Sequence, residues 1–248
     1  MMTENRCGRL LASVTTEAEA RLVVAEGADI VDAKNPAEGA LGALPYETVS
    51  AIRKAVPSAV PVSATIGDLP AEPRSVLEAA RRMAGTGADI VKLGIFGDGD
   101  IVATIRHLGR NLAPSTPLVA VLMADAPFDP VWVEALGDAG FAGVMLDTAV
   151  KDGRTLLDHR SPAELAAFLA DARAHRLMAG LAGSLRVTQV PELLALGPDV
   201  LGFRGALCRA SDRVSGLDPA AIRAVRRAMS AGAALPPDLE SVALKAAS

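Results

Sequence analysis

Short, nearly continuous apolar runs recur along the chain, and each is followed by a stretch with helical periodicity. The runs at 9–14, 29–34, 61–66, 89–95, 118–123, 143–147, 177–181 and 200–203 predict strands. Helices are predicted over 17–26, 46–56, 74–84, 100–112, 129–139, 161–176, 187–196 and 218–229. Thr15 and Thr16 offer an N-cap before Glu17, where a hydroxyl satisfies an orphan amide of the first turn. The strand runs are apolar throughout rather than alternating, the pattern of parallel strands covered on both faces.

Eight such β–α units in 248 residues predict a single (β/α)8 TIM barrel of the α/β class. An open doubly wound sheet is the alternative, and it normally needs fewer units. The barrel is placed over 1–232. The tail at 233–248, with Pro236 and Pro237, is expected to be loosely ordered.

A repeat registers the strands against one another. Gly27-Ala28-Asp29-Ile30-Val31 reappears 60 residues on as Gly87-Ala88-Asp89-Ile90-Val91, with looser echoes at Gly140 and Gly197. Counted from the Asp29-equivalent position, Lys34, Lys92, Asp147, Arg204 and Asp32 all fall at odd offsets. A strand has a period of two, so all five are expected on one face. Charges on an apolar strand face are costly unless paired or used.

Composition narrows the function. Half the residues are apolar, and a net charge of −4 offers no basic field for nucleic acid or anionic membrane. Two cysteines supply neither a disulfide framework nor a four-ligand zinc site. The first residues lack the apolar core of a signal peptide, and no apolar run reaches the roughly 20 residues of a membrane span. A cytoplasmic protein is expected. The alanine-rich helices permit a homo-oligomer without a dedicated interface signal.

Lys34 and Lys92 read as a Schiff-base amine with a second amine nearby, or as the cationic halves of structural ion pairs with Asp32 and a neighbouring carboxylate. Asp147 reads as a proton shuttle or a loop cap, and Lys151 as a cation over the mouth or part of a solvated turn. Gly183, Ser184, Arg204, Gly205 and Ala206 follow strands seven and eight, where barrels commonly cradle a phosphate. Two ordinary glycine turns are the plain alternative. Asp68 reads as a cap, Asp125 as a mouth residue, and His107, His159 and His175 as surface groups without metal-ligand spacing.

The segment Asp32-Ala33-Lys34-Asn35-Pro36-Ala37-Glu38-Gly39-Ala40-Leu41-Gly42 is long and specific. With Ser63-Ala64-Thr65-Ile66-Gly67-Asp68, Lys92-Leu93-Gly94, Leu146-Asp147-Thr148, Lys151-Asp152-Gly153 and Phe203-Arg204-Gly205-Ala206, it resembles the (5-formylfuran-3-yl)methyl phosphate synthase family of methanofuran and methylofuran biosynthesis. Ala33 and Ala40 replace an expected valine and serine and leave the charged positions intact. The resemblance implies a TIM-barrel lyase that joins two glyceraldehyde 3-phosphate molecules without metal or organic cofactor. It implies Lys34 as the Schiff-base lysine, Lys92 as proton acceptor, and Asp147 and Lys151 in support. A Schiff-base aldolase for another phosphorylated sugar, or a non-catalytic phosphometabolite-binding barrel, would share the same loops.

Overall fold

The computed structural model describes residues 8–95, 97 and 99–232. The expectation for the tail at 233–248 lies outside the described residues.

Eight parallel strands close into a barrel in chain order, with the last pairing to the first. They are β1 (Arg9–Val14), β2 (Ile30–Ala33), β3 (Val62–Thr65), β4 (Ile90–Gly94), β5 (Leu118–Met123), β6 (Gly143–Asp147), β7 (Met178–Leu181) and β8 (Val200–Phe203). The surrounding helices are α1 (Glu17–Ala25), α2 (Tyr46–Ala55), α3 (Pro73–Ala84), α4 (Ile101–Asn111), α5 (Val131–Asp138), α6 (Leu156–His159), α7 (Pro162–Ala174), α8 (Val190–Ala195) and α9 (Pro219–Gly232). Thr16 is the cap of α1 and accepts from the Glu19 amide at 3.2 Å.

Several elements depart from the sequence expectation, among them the 3-10 turns Gly205–Leu207 and Arg209–Ser211 after β8. The helix expected over 187–196 begins as a 3-10 turn, Val187–Gln189, before α8. The short α6 was not predicted. Four residues carry no readable helical period, and only the capping box of Thr155 with Asp158 marks it.

Strand parity divides the core in two. Leu11, Ile30, Val119, Val121, Met145 and Val200 fill the barrel interior. Their neighbours Leu10, Val31, Ala120, Val144 and Leu201 face outward onto the helices. Gly180 makes room for the Met145 side chain: a Cβ there would lie 2.7 Å from Met145 Cγ.

The repeated aspartate has a structural purpose. Asp29 accepts from the Leu10 amide, Asp89 from Val62 and Asp199 from Ala179, at 2.8, 2.8 and 2.7 Å. Each carboxylate ties the foot of an even-numbered strand to the strand before it. The fourth echo has Ala142 at this position and lacks the carboxylate tie. It keeps only the main-chain bond common to all four, from its amide to the Leu118 carbonyl.

Among the described residues no helix is long and apolar enough to cross a membrane.

Candidate active site

A polar layer sits above the apolar interior at the carboxyl ends of the strands. Asp32 on β2 is fully buried, and Lys92 on β4 is 4 % exposed. Lys92 Nζ donates to Asp32 Oδ1 at 3.1 Å, while the Ser63 and Ser13 hydroxyls donate to its two oxygens at 2.6 and 2.9 Å. Burial opposes the charged form of this carboxyl. The nearby Lys92 and Lys34 ammonium groups and the Ser63 hydroxyl outweigh it, holding Asp32 below the usual carboxylate range.

Lys34 is the first residue past β2. Its amide continues the ladder to the Val14 carbonyl, so the side chain keeps the inward direction set by Asp32. Its Nζ lies 3.4 Å from Asp147 Oδ2, a long contact, and the residue is 7 % exposed. Asp147 ends β6, and its other oxygen accepts from Lys151 Nζ and the Thr148 amide, both at 2.7 Å. Burial works against its charge, but Lys34 and Lys151 prevail and depress its pKa well below the ordinary value. Lys151 moves down from the normal lysine value, first because it is buried. Asp147 opposes that shift and Lys34 adds to it.

Asp32, Lys34, Lys92, Asp147 and Lys151 all line one cavity of about 630 Å³. Gly183, Ser184, Gly205 and Ala206 border the same space. Among the described residues, the main-chain amides of these four donate to no main-chain carbonyl. Ser184 adopts φ 51°, an uncommon conformation for a non-glycine residue, beside Gly183 at φ 111°.

For Arg204 the sequence leaves two readings, a phosphate fork or a pairing with an acid, and the structure pairs it with Glu19. Its five N–H groups donate to the Arg213, Ser13 and Ser215 carbonyls and to both oxygens of Glu19. Glu19 in turn accepts from the Thr15 amide and hydroxyl at 2.8 and 3.0 Å. The guanidinium therefore fastens the loop after β8 to the end of β1 and to α1.

The loop between β2 and α2 closes over one side of the mouth. Asp68 caps it, accepting from the Ala40 and Leu41 amides at 3.1 Å each. Gly39 has φ 75°, and the Asp68 carboxylate occupies the place where a Cβ would stand. Leu41 is completely buried in the barrel interior. Asp125, expected at the mouth, accepts from the Ala149 and Val150 amides at 2.8 Å each and so caps the loop after β6. The three histidines, expected on the surface, are half-buried.

Sequence reasoning passed over Ser13, Ser63 and Arg213. Ser13 and Ser63 are detectable by the same strand parity, since each is a polar residue within an apolar run. Arg213 has no comparable signal.

Residues 10–226 match the family described as 4-HFC-P synthase. The chain belongs to that family. A Methylorubrum extorquens protein, provisionally named (5-formylfuran-3-yl)methyl phosphate synthase, is 43 % identical over 224 residues, covering 90 % of this chain and 92 % of the relative. The (5-formylfuran-3-yl)methyl phosphate synthase of Methanocaldococcus jannaschii is 38 % identical over 218 residues, covering 84 % and 93 %. Among solved structures, 3-hexulose-6-phosphate synthase from Salmonella typhimurium aligns with a TM-score of 0.65 at 20 % identity, over 90 % of this chain and 99 % of that one. This likeness concerns the barrel fold alone.

Proposed function

We propose that this 4-HFC-P synthase family member condenses two glyceraldehyde 3-phosphate molecules into (5-formylfuran-3-yl)methyl phosphate through an imine on Lys34. Acting as a lyase, it would release one phosphate and two waters and serve methanofuran-type cofactor assembly. The names of its relatives support the enzyme reading.

The arrangement that carries the proposal is Lys34 at the junction of two carboxylates, facing the same cavity as the loop amides. The Lys34 amine adds to the aldehyde of one glyceraldehyde 3-phosphate and expels water. The resulting iminium withdraws electrons from the adjacent carbon C2, whose proton passes to Lys92, and phosphate leaves from C3. The enol carbon left at C3 attacks the ketone carbon of the second, isomerised triose phosphate, and the new alkoxide takes a proton. The free primary hydroxyl of that triose closes on the C2 carbonyl, two waters are lost as the furan forms, and hydrolysis of the imine frees Lys34.

Asp147 with its depressed pKa is a weak base and an effective counter-ion, so it serves here to stabilise the iminium. Lys151, with its pKa lowered, stands beside the departing phosphate as a cation able to give up a proton. Borohydride reduction in the presence of glyceraldehyde 3-phosphate, followed by peptide mapping, tests the imine. An adduct on Lys34 is expected. Labelling elsewhere, or full turnover by Lys34→Ala, overturns the mechanism. Product analysis separates this activity from that of a sugar-phosphate aldolase.

A further inference from the structure

We propose that Arg213 is the guanidinium that grips a substrate phosphate at the cavity mouth, and that the buried Arg204–Glu19 pair positions it there. The proposal deepens the reading above and rests on its phosphorylated substrate.

Arg213 lies in the loop between β8 and α9 and lines the cavity together with Ser211 and Asp212. This loop is held in a strained form. Ala210 and Ser211 have φ values of 52° and 58°, a left-handed conformation that non-glycine residues rarely adopt. The strain turns the chain back over the mouth, and Arg204 fixes it from beneath. Arg204 Nε donates to the Arg213 carbonyl at 2.9 Å, and its Nη2 donates to the Ser215 carbonyl at 3.1 Å. The remaining donors of Arg204 go to Ser13 and to both oxygens of Glu19. A guanidinium saturated in this way supports a loop but has no donor left for a ligand.

The Arg213 side chain is in the opposite condition. Among the described residues its one hydrogen bond runs from Nη2 to the Gly39 carbonyl at 3.1 Å, reaching across the mouth to the loop after β2. Asp147 and Asp68 act on it through space without an ion pair. The half-buried guanidinium thus retains donors beside a cavity that already holds an excess of cations. Apart from Arg204, which Glu19 neutralises, five basic residues line the cavity against three aspartates, although the whole chain carries a net charge of −4. A phosphate ester supplies the missing negative charge and the paired oxygens that a guanidinium fork fits. Arg213 and the amides of Gly183, Ser184, Gly205 and Ala206 border the same cavity. That provides two kinds of anion contact for a reaction that brings two phosphates together.

Calorimetric titration with glycerol 3-phosphate tests this directly, because the ligand carries the phosphate and has no carbonyl to form an imine. Arg213→Met is expected to weaken its binding by about tenfold to a hundredfold, with Arg213→Lys intermediate and thermal melting unchanged. Glu19→Gln is expected to weaken binding in the wild-type background and to have no further effect in Arg213→Met, as required of a residue acting through Arg213. Undetectable binding to the wild-type protein, or an affinity within twofold of it for Arg213→Met, overturns the phosphate role. An equal loss from Glu19→Gln in both backgrounds overturns the positioning role. Failure of borohydride trapping alone would instead fall on the Lys34 imine and leave the Arg213 result standing.

Discussion

Lys34 and Lys151 meet on opposite oxygens of one carboxylate, at 3.4 and 2.7 Å from Asp147. The two contacts differ in strength, and the looser one belongs to the proposed nucleophile. Asp147→Asn keeps the shape and removes the charge that both amines share. It is expected to lower kcat by about a hundredfold to a thousandfold while the circular dichroism spectrum is preserved. Turnover within a few-fold of wild type would remove Asp147 from the chemistry.

The acid limb of stability follows from the same carboxylates. Asp32, Asp147 and Glu19 all have depressed folded-state pKa values. A depressed carboxylate contributes stability above its unfolded pKa of about 4 and loses it as pH falls toward the folded value. The urea midpoint should therefore be level between about pH 5 and 7 and fall steeply below about pH 4. Asp147→Asn should make that fall shallower, because one of the groups that must take up a proton is gone.

Lys151 titrates in the opposite sense. Its lowered pKa means that the charged form is lost earlier on the alkaline side than for an ordinary lysine. If this cation assists the departing phosphate, kcat should decline before about pH 10. Lys151→Arg, which keeps its charge, should push that decline upward even if absolute activity drops. An unchanged alkaline limb would assign it to another group.

Gly39→Ala tests the closure of the loop after β2. The new Cβ would displace the Asp68 carboxylate from the Ala40 and Leu41 amides and would be strained at φ 75°. A destabilisation of about 1–3 kcal/mol is expected, with faster hydrogen exchange at those two amides.

Gly180→Ala tests packing inside the barrel. The added methyl would press on Met145 Cγ and Cε at 2.7 and 2.8 Å. A cost of about 1–3 kcal/mol is expected in chemical unfolding, and Met145→Ala should relieve part of it in the double variant.

The barrel and its charged face were legible because both depend on periods. Parity along each strand is a local property, and the Gly-Ala-Asp-Ile-Val echo supplied the register between distant strands. Asp32, Lys34, Lys92 and Asp147 therefore assemble as the odd offsets required. Arg204 obeyed the same parity, but parity could not choose between a phosphate and an acid as its partner; the position of Glu19 at the start of α1 determines where its donors go. Arg213 was missed because its approach depends on two left-handed residues in a loop with no repeat. Similarly, nothing in the order of residues revealed that Leu41 would fold back as a plug.

The aspartates at the strand feet have a consequence for assembly. They stitch β1 to β2, β3 to β4 and β7 to β8, always on adjacent strands and always at the end away from Lys34. Each stitched pair with its intervening helix is a tile that carries its own fastening. The fourth tile, β5 with β6, lacks the carboxylate and has only the main-chain bonds that the other three also make. A sequence built from such tiles can vary its rim, where substrates enter, while the foot of each tile keeps its fastening.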